Sequence, residues 1–88
     1  MWMVDVGVPF GETYDAIEVA SELEQEVAGR YSDAAGCGFG YRDLQFEFDH
    51  YQEAYKLWAA IEGRLAEKHQ DVKKNDYYNE LCQVMILP

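Results

Sequence analysis

Eighty-eight residues, nearly half of them apolar and 15% aromatic, make one packed domain spanning 1–88 and argue against wholesale disorder. A formal charge of −10, from 17 acids against seven Lys and Arg, disfavours nucleic acid and anionic membranes as direct partners. It favours a basic protein surface, although acidity also serves solubility alone. No apolar run approaches the roughly 20 residues that cross a bilayer, and Asp5 interrupts the apolar start Met1-Trp2-Met3-Val4, so a cytoplasmic protein without a membrane partner is expected.

Trp2, Val4, Val6 and Val8 alternate with Met3, Asp5 and Gly7, the period of a half-buried strand that Pro9-Phe10-Gly11 ends. Thr13 or Gly11 then caps a predicted helix running to Arg30, with Gly29 as its stop. Its apolar stripe is Ala16, Ala20, Leu23 and Val27, flanked by Ile17 and Val19.

The charge is concentrated in this segment. Residues 1–29 hold seven carboxylates and no Lys or Arg. Asp15, Glu18, Glu22 and Glu26 recur at helical spacing, so an α-helix carries them as one stripe. Such like-charged neighbours each cost a few tenths of a kcal/mol, and the helix has no cation of its own to offset them. The stripe is therefore a candidate anionic contact surface, weighed against an ordinary solvated face.

From Tyr31 to Tyr41 the chain becomes polar and then rich in glycine, with Gly36, Gly38 and Gly40 alternating with Cys37, Phe39 and Tyr41. As a strand it would have one bare face and one face carrying the thiol and rings. Leu44, Phe46 and Phe48 alternate with Gln45, Glu47 and Asp49, the clearest strand in the chain. Asp49 and Gln52 resemble a capping box opening a second helix to about His69, with Tyr51, Ala54, Trp58, Ile61 and Leu65 on one face. This helix mixes signs on its polar face through Glu53, Lys56, Arg64, Glu67 and Lys68.

A polar connection follows, in which Tyr77 and Tyr78 are candidate interface tyrosines, or pins holding the loop to a helix. The apolar run Leu81–Leu87 reads as a last strand, central or partly covered. The order β-α-β-β-α-β predicts an α+β, ferredoxin-like domain, an antiparallel sheet with two helices on one face. If residues 31–40 are a loop, the order is β-α-β-α-β instead. In the ferredoxin-like order the second and fourth strands occupy opposite edges, which keeps Cys37 and Cys82 beyond disulfide reach.

Catalytic and ligand-binding patterns are thin. His50 and His69 flank opposite ends of one helix, and neither belongs to a nucleophile arrangement. Asp71-x-Lys73-x-Asn75-Asp76 fails the calcium-loop pattern, and Gly36-x-Gly38-x-Gly40 lacks the lysine of a phosphate loop. No enzyme activity, metal or cofactor is expected.

Val6-Gly7-Val8-Pro9-Phe10 resembles the first-strand motif of RNA-recognition-motif domains. Gly38-Phe39-Gly40-Tyr41, Phe46-Glu47-Phe48 and Gln52-Glu53-Ala54 resemble their third strand and second helix. Cys37 stands where that signature has a base, Leu44 where it has a stacking aromatic, and Arg42–Gln45 looks like an insertion. The likeness implies the βαββαβ fold and, with carboxylates on the sheet, argues little for RNA binding.

In size, acidity and want of catalytic machinery the chain also resembles the small acidic phage-encoded inhibitors, among them anti-CRISPR proteins and other DNA mimics. That resemblance implies occlusion of the nucleic-acid-binding surface of a bacterial defence complex. Asp15, Glu18, Glu22 and Glu26, joined by Glu47, Asp49, Tyr77 and Tyr78, would make the contact. The alternatives are an immunity or antitoxin-like partner of a basic nuclease, and an RNA-recognition-like module that binds protein.

Overall fold

The computed structural model describes residues 1–11, 15–69 and 83–88. Strand β1 (Trp2–Pro9) is followed by helix α1 (Ala16–Glu22), which continues as a π-helical segment over Leu23–Ala28. Strands β2 (Ala34–Gly38) and β3 (Tyr41–Phe48), helix α2 (Tyr51–His69) and strand β4 (Gln83–Leu87) complete the order. The four strands form one antiparallel sheet in the order β2-β3-β1-β4. The glycine-rich stretch is thus a strand, and the reading of 31–40 as a loop is set aside.

The alternation in β1 and β3 selects the covered face. Val4 pairs with Phe46 and Ile86, and Val6 with Leu44 and Val84, so these side chains stand on the same side of three strands. Val4, Val6, Val8, Leu44 and Phe46 are fully buried there. Ala16, Val19, Ala20 and Leu23 pack onto them from the first helix, and Ala54, Leu57 and Ile61 from the second. Among the described residues no polar or charged residue is buried in this core.

The helix ends differ from expectation. Asp15, in extended conformation, is the cap of α1, and its Oδ1 accepts from the N–H groups of Ile17 (2.9 Å) and Glu18 (3.4 Å). Thr13 lies outside the described residues. A β-region residue with a short carboxylate satisfies two N–H groups that a helix start otherwise leaves open. At the far end the Gly29 N–H donates to the Glu24 carbonyl, and Gly29 takes a left-handed φ of 69°, as expected of a helix stop. The helix does not run to Arg30 as a uniform α-helix, because its last turns are π-helical.

The capping box expected at Asp49 does not form. The His50 carbonyl accepts from Ala54 N (3.3 Å) and Glu53 N (3.2 Å), making His50 the residue at the helix boundary, and Asp49 stays exposed. The buried stripe of α2 runs Ala54, Leu57 and Ile61, with Trp58 and Leu65 at its margins. Tyr51 is left out of it and stacks edge-on against Trp2 at 4.9 Å.

Strands β2 and β3 are joined by the two-residue turn Phe39-Gly40, with φ of 52° and 84°. Positive φ at both central residues matches the right-handed twist of a hairpin and suits glycine, not phenylalanine. Phe39 and Tyr41 therefore do not share a strand face with Cys37 as the alternation suggested. Strand β4 is an edge strand paired only to β1, with Val84 and Ile86 packed against the core, so of the two readings of this run it is partly covered and not central. Cys37 is a free, exposed thiol, and Cys82 lies outside the described residues, so the disulfide expectation is untested. No helix among the described residues is long and apolar enough to cross a membrane.

Candidate protein-binding surface

The register that buries the valines sends the intervening residues to the opposite, open face. Met3 pairs there with Glu47 and Leu87, Asp5 with Gln45 and Met85, and Gly7 with Asp43 and Gln83. Tyr41 and Asp43 converge across Gly7, where a methyl group would stand 3.4 Å from the Tyr41 ring and 3.5 Å from the Asp43 carboxylate. From β2 this face receives only Ala34, Gly36 and Gly38. The open sheet thus carries three carboxylates, two amides, a tyrosine and exposed Met85, and no described cation.

Asp5 is the most constrained of these groups. Its Oδ1 is out of reach of solvent and has no hydrogen-bond partner. Burial first, and the charge of Asp43 second, push its carboxyl above the usual 3.8. A like-charge pair on a strand surface is a cost that folding alone does not require.

The described cations lie on the other side. Arg42 sits opposite Val8 on the helix-covered face, with Nη1 3.5 Å from Cys37 Sγ. Arg30 stacks over Phe46 and Phe48, at 5.5 and 4.8 Å from the ring centroids. It also donates to the Glu47 carbonyl (3.0 Å) and pairs with Asp33 (3.4 Å). Asp33 Oδ2 accepts from Glu47 N (2.6 Å), so the backbone of Glu47 is held at both its donor and its acceptor while its side chain remains exposed. Arg30 and Lys56 line a shallow groove of about 550 Å³ with Phe48, Leu57 and Glu53, and Glu47 and Asp49 form its rim.

The carboxylate stripe of the first helix is only partly available. Asp15 is engaged as the cap. Arg64, reaching over from α2, contacts Glu22 at 3.1 Å and Glu26 at 3.5 Å. Burial works against the charge of Arg64, but the hydrogen bond and charge of Glu22, reinforced by Glu26, outweigh it and raise its pKa. The second helix thus supplies the neutralising cation that the first one lacks. Glu18 is exposed and makes no ion pair among the described residues, and Glu26 keeps an outer side in water. Glu24, outside the stripe, accepts from Ser32 N (2.7 Å) and Oγ (2.9 Å) and ties the helix end to the approach of β2.

The six described candidate residues therefore do not form one surface. Glu47 belongs to the open sheet, Asp49 to the groove rim, and the α1 carboxylates to the helical side. Tyr77 and Tyr78 lie outside the described residues. Of the acids on the open sheet, the alternation read from the sequence offers Asp5 and Glu47 and misses Asp43. Running the Leu44-Phe46-Phe48 alternation two residues back from Gln45 would have placed Asp43 on the open face.

Among the described residues no group of three or more His, Cys, Asp or Glu is placed to hold a metal ion. The aromatic residues of the RNA-recognition resemblance are also displaced. Phe46 is in the core, Phe48 is packed against it, Phe39 is in the turn and Phe10 follows the end of β1, leaving Tyr41 as the one of these rings on the open sheet. Comparison with protein-family models, curated proteins and solved structures finds no match.

Proposed function

We propose that this chain is a protein-binding inhibitor that covers the basic, nucleic-acid-binding surface of a partner with its open sheet, as a DNA or RNA mimic. One observation carries the reading: Asp5, Asp43 and Glu47 share a sheet face that holds no described cation. A face of one sign steers an oppositely charged partner and disfavours phosphate backbones, so it suits the protein that binds nucleic acid and not the nucleic acid itself. Tyr41, Met3 and Met85 supply apolar area between the charges, as contact surfaces with affinity require. A nuclease or a defence complex with an exposed Lys/Arg groove is the kind of partner that fits.

The frame we read as the ferredoxin-like, split βαβ arrangement. The element order, the edge positions of β2 and β4 and the packing of both helices against the valine face support that reading. On this view the chain uses the sheet surface on which RNA-recognition domains stack bases, with carboxylates in place of rings.

The test is capture of partners from bacterial lysate by tagged protein at low and high salt, with wild type beside an Asp43→Lys/Glu47→Lys variant. A nucleic-acid-binding protein should be retained at low salt, released by salt or by added DNA, and lost with the variant. Retention by the folded variant, insensitive to salt and DNA, would remove the sheet from the mechanism.

A further inference from the structure

We propose that two copies of this chain associate through β2, pairing antiparallel about Gly36 to extend the sheet across a two-fold axis. All five residues of β2 are exposed, and the strand forms one outer edge of the sheet. Edge strands are ordinarily blunted by Lys, Pro, a bulge or a covering element. Ala34-Ala35-Gly36-Cys37-Gly38 has no charge and no proline, and the space around the glycine Cα atoms at 36 and 38 is open. The opposite edge, β4, is engaged by α2, whose Trp58 Nε1 donates to the Val84 carbonyl at 3.2 Å.

Phe39 indicates that the edge is occupied. It has a left-handed backbone, φ 52°, that a non-glycine residue adopts at a cost of about 1 kcal/mol. Its ring is fully exposed, so no contact within the monomer offsets either cost. A strained, solvent-facing aromatic at a hairpin tip is the mark of a contact made with something else.

The geometry selects a second copy. Antiparallel pairing about Gly36 sets Ala35 against Cys37, Ala34 against Gly38, and Asp33 against Phe39 of the other copy. This register carries Phe39 of each chain, in the turn just past Gly38, toward the segment of the other chain that precedes Asp33, where Tyr31 lies. Tyr31 is 74% exposed, and with Gln25, Gly29 and Arg30 it lines a notch of about 230 Å³, large enough for a phenyl ring. The exchange occurs twice, once at each end of the strand pair, as an isologous interface demands. Asp33, the acid nearest this seam, is already bound by Arg30 and by Glu47 N. A chain of charge −10 can therefore approach itself along this uncharged edge.

Sedimentation equilibrium over a concentration series, at low and high salt, tests the proposal. Wild type should show a monomer–dimer equilibrium that salt strengthens, because screening reduces repulsion between two acidic chains. Gly36→Lys places two ammonium groups face to face, and Phe39→Asn removes the ring while tolerating the turn, so each should weaken association by roughly tenfold or more with an unchanged circular dichroism spectrum. A wild type that stays monomeric to about 1 mM overturns the proposal and leaves the edge for a strand of another protein. A dimer indifferent to both variants overturns it as well. The outcome is independent of the sheet-face reading, since Asp43→Lys/Glu47→Lys should still dimerise and Phe39→Asn, altered only in the turn, should still capture the partner.

Discussion

Phe39 and Asp5 are two described residues whose placement packing within the monomer does not explain. At Phe39 the backbone is left-handed and the ring lies in solvent. Phe39→Gly should raise the stability of the monomer by about 1 kcal/mol, read from the urea midpoint at a concentration too low for association. An unchanged midpoint would show that the ring has contacts that compensate. At Asp5 the native state holds its proton more tightly than the unfolded chain, because burial and Asp43 both raise its pKa. Its contribution to stability is therefore fully present below the usual 3.8 and is lost as pH rises through the higher native value. Asp5→Asn should stabilise the protein at neutral pH by about 1 kcal/mol, and the gain should fade as pH falls toward 3.8. A gain that persists at low pH would exclude the carboxylate charge as its cause.

At the scale of elements, the first helix joins the rest of the molecule through charge as well as through its apolar stripe. Arg64 lies between Glu22 and Glu26, with Arg64 and Glu22 side chains 23% and 26% exposed. Partly buried and doubly paired, the contact is worth about 1 kcal/mol. Glu22→Lys turns this attraction into repulsion and should destabilise by about 1–2 kcal/mol, whereas Glu18→Lys should stay within about 0.5 kcal/mol of wild type. Equal thermal shifts for the two variants would show that the clasp contributes nothing. The comparison also bears on binding experiments, because a charge reversal that includes Glu22 confounds affinity with stability. Asp15→Ala should cost about 1 kcal/mol through the lost cap. Its effect on any partner would follow helix fraying and not charge.

Over the whole molecule, the described charges segregate by side. The open sheet has acids alone, and the described arginines and Lys56 lie on the helical side or its rim. This division gives two associations with opposite salt dependence. Capture of a basic partner through Asp43 and Glu47 should weaken as salt rises, while self-pairing along the uncharged β2 edge should strengthen. Measuring both on one preparation separates the surfaces without mutation, and a common sign for the two would merge them into one.

The strand β1, the core half of β3 and most of each helix's apolar stripe were legible in the sequence, because periods of two and 3.6 residues are properties of the chain itself, although the reading of the second helix includes exposed Tyr51 and omits buried Leu57. Acid crowding in residues 1–29 was equally plain. The state of that acid was not. Arg64 is 42 residues from Glu22, and only the packing of α2 beside the first helix brings the guanidinium onto the stripe. The open acidic face also depends on register, since Asp5 and Asp43 become neighbours only when Gly7 pairs with Asp43. Local periodicity reports which side of an element is apolar. Which charges meet across elements is decided by long-range pairing, and that belongs to the tertiary structure alone.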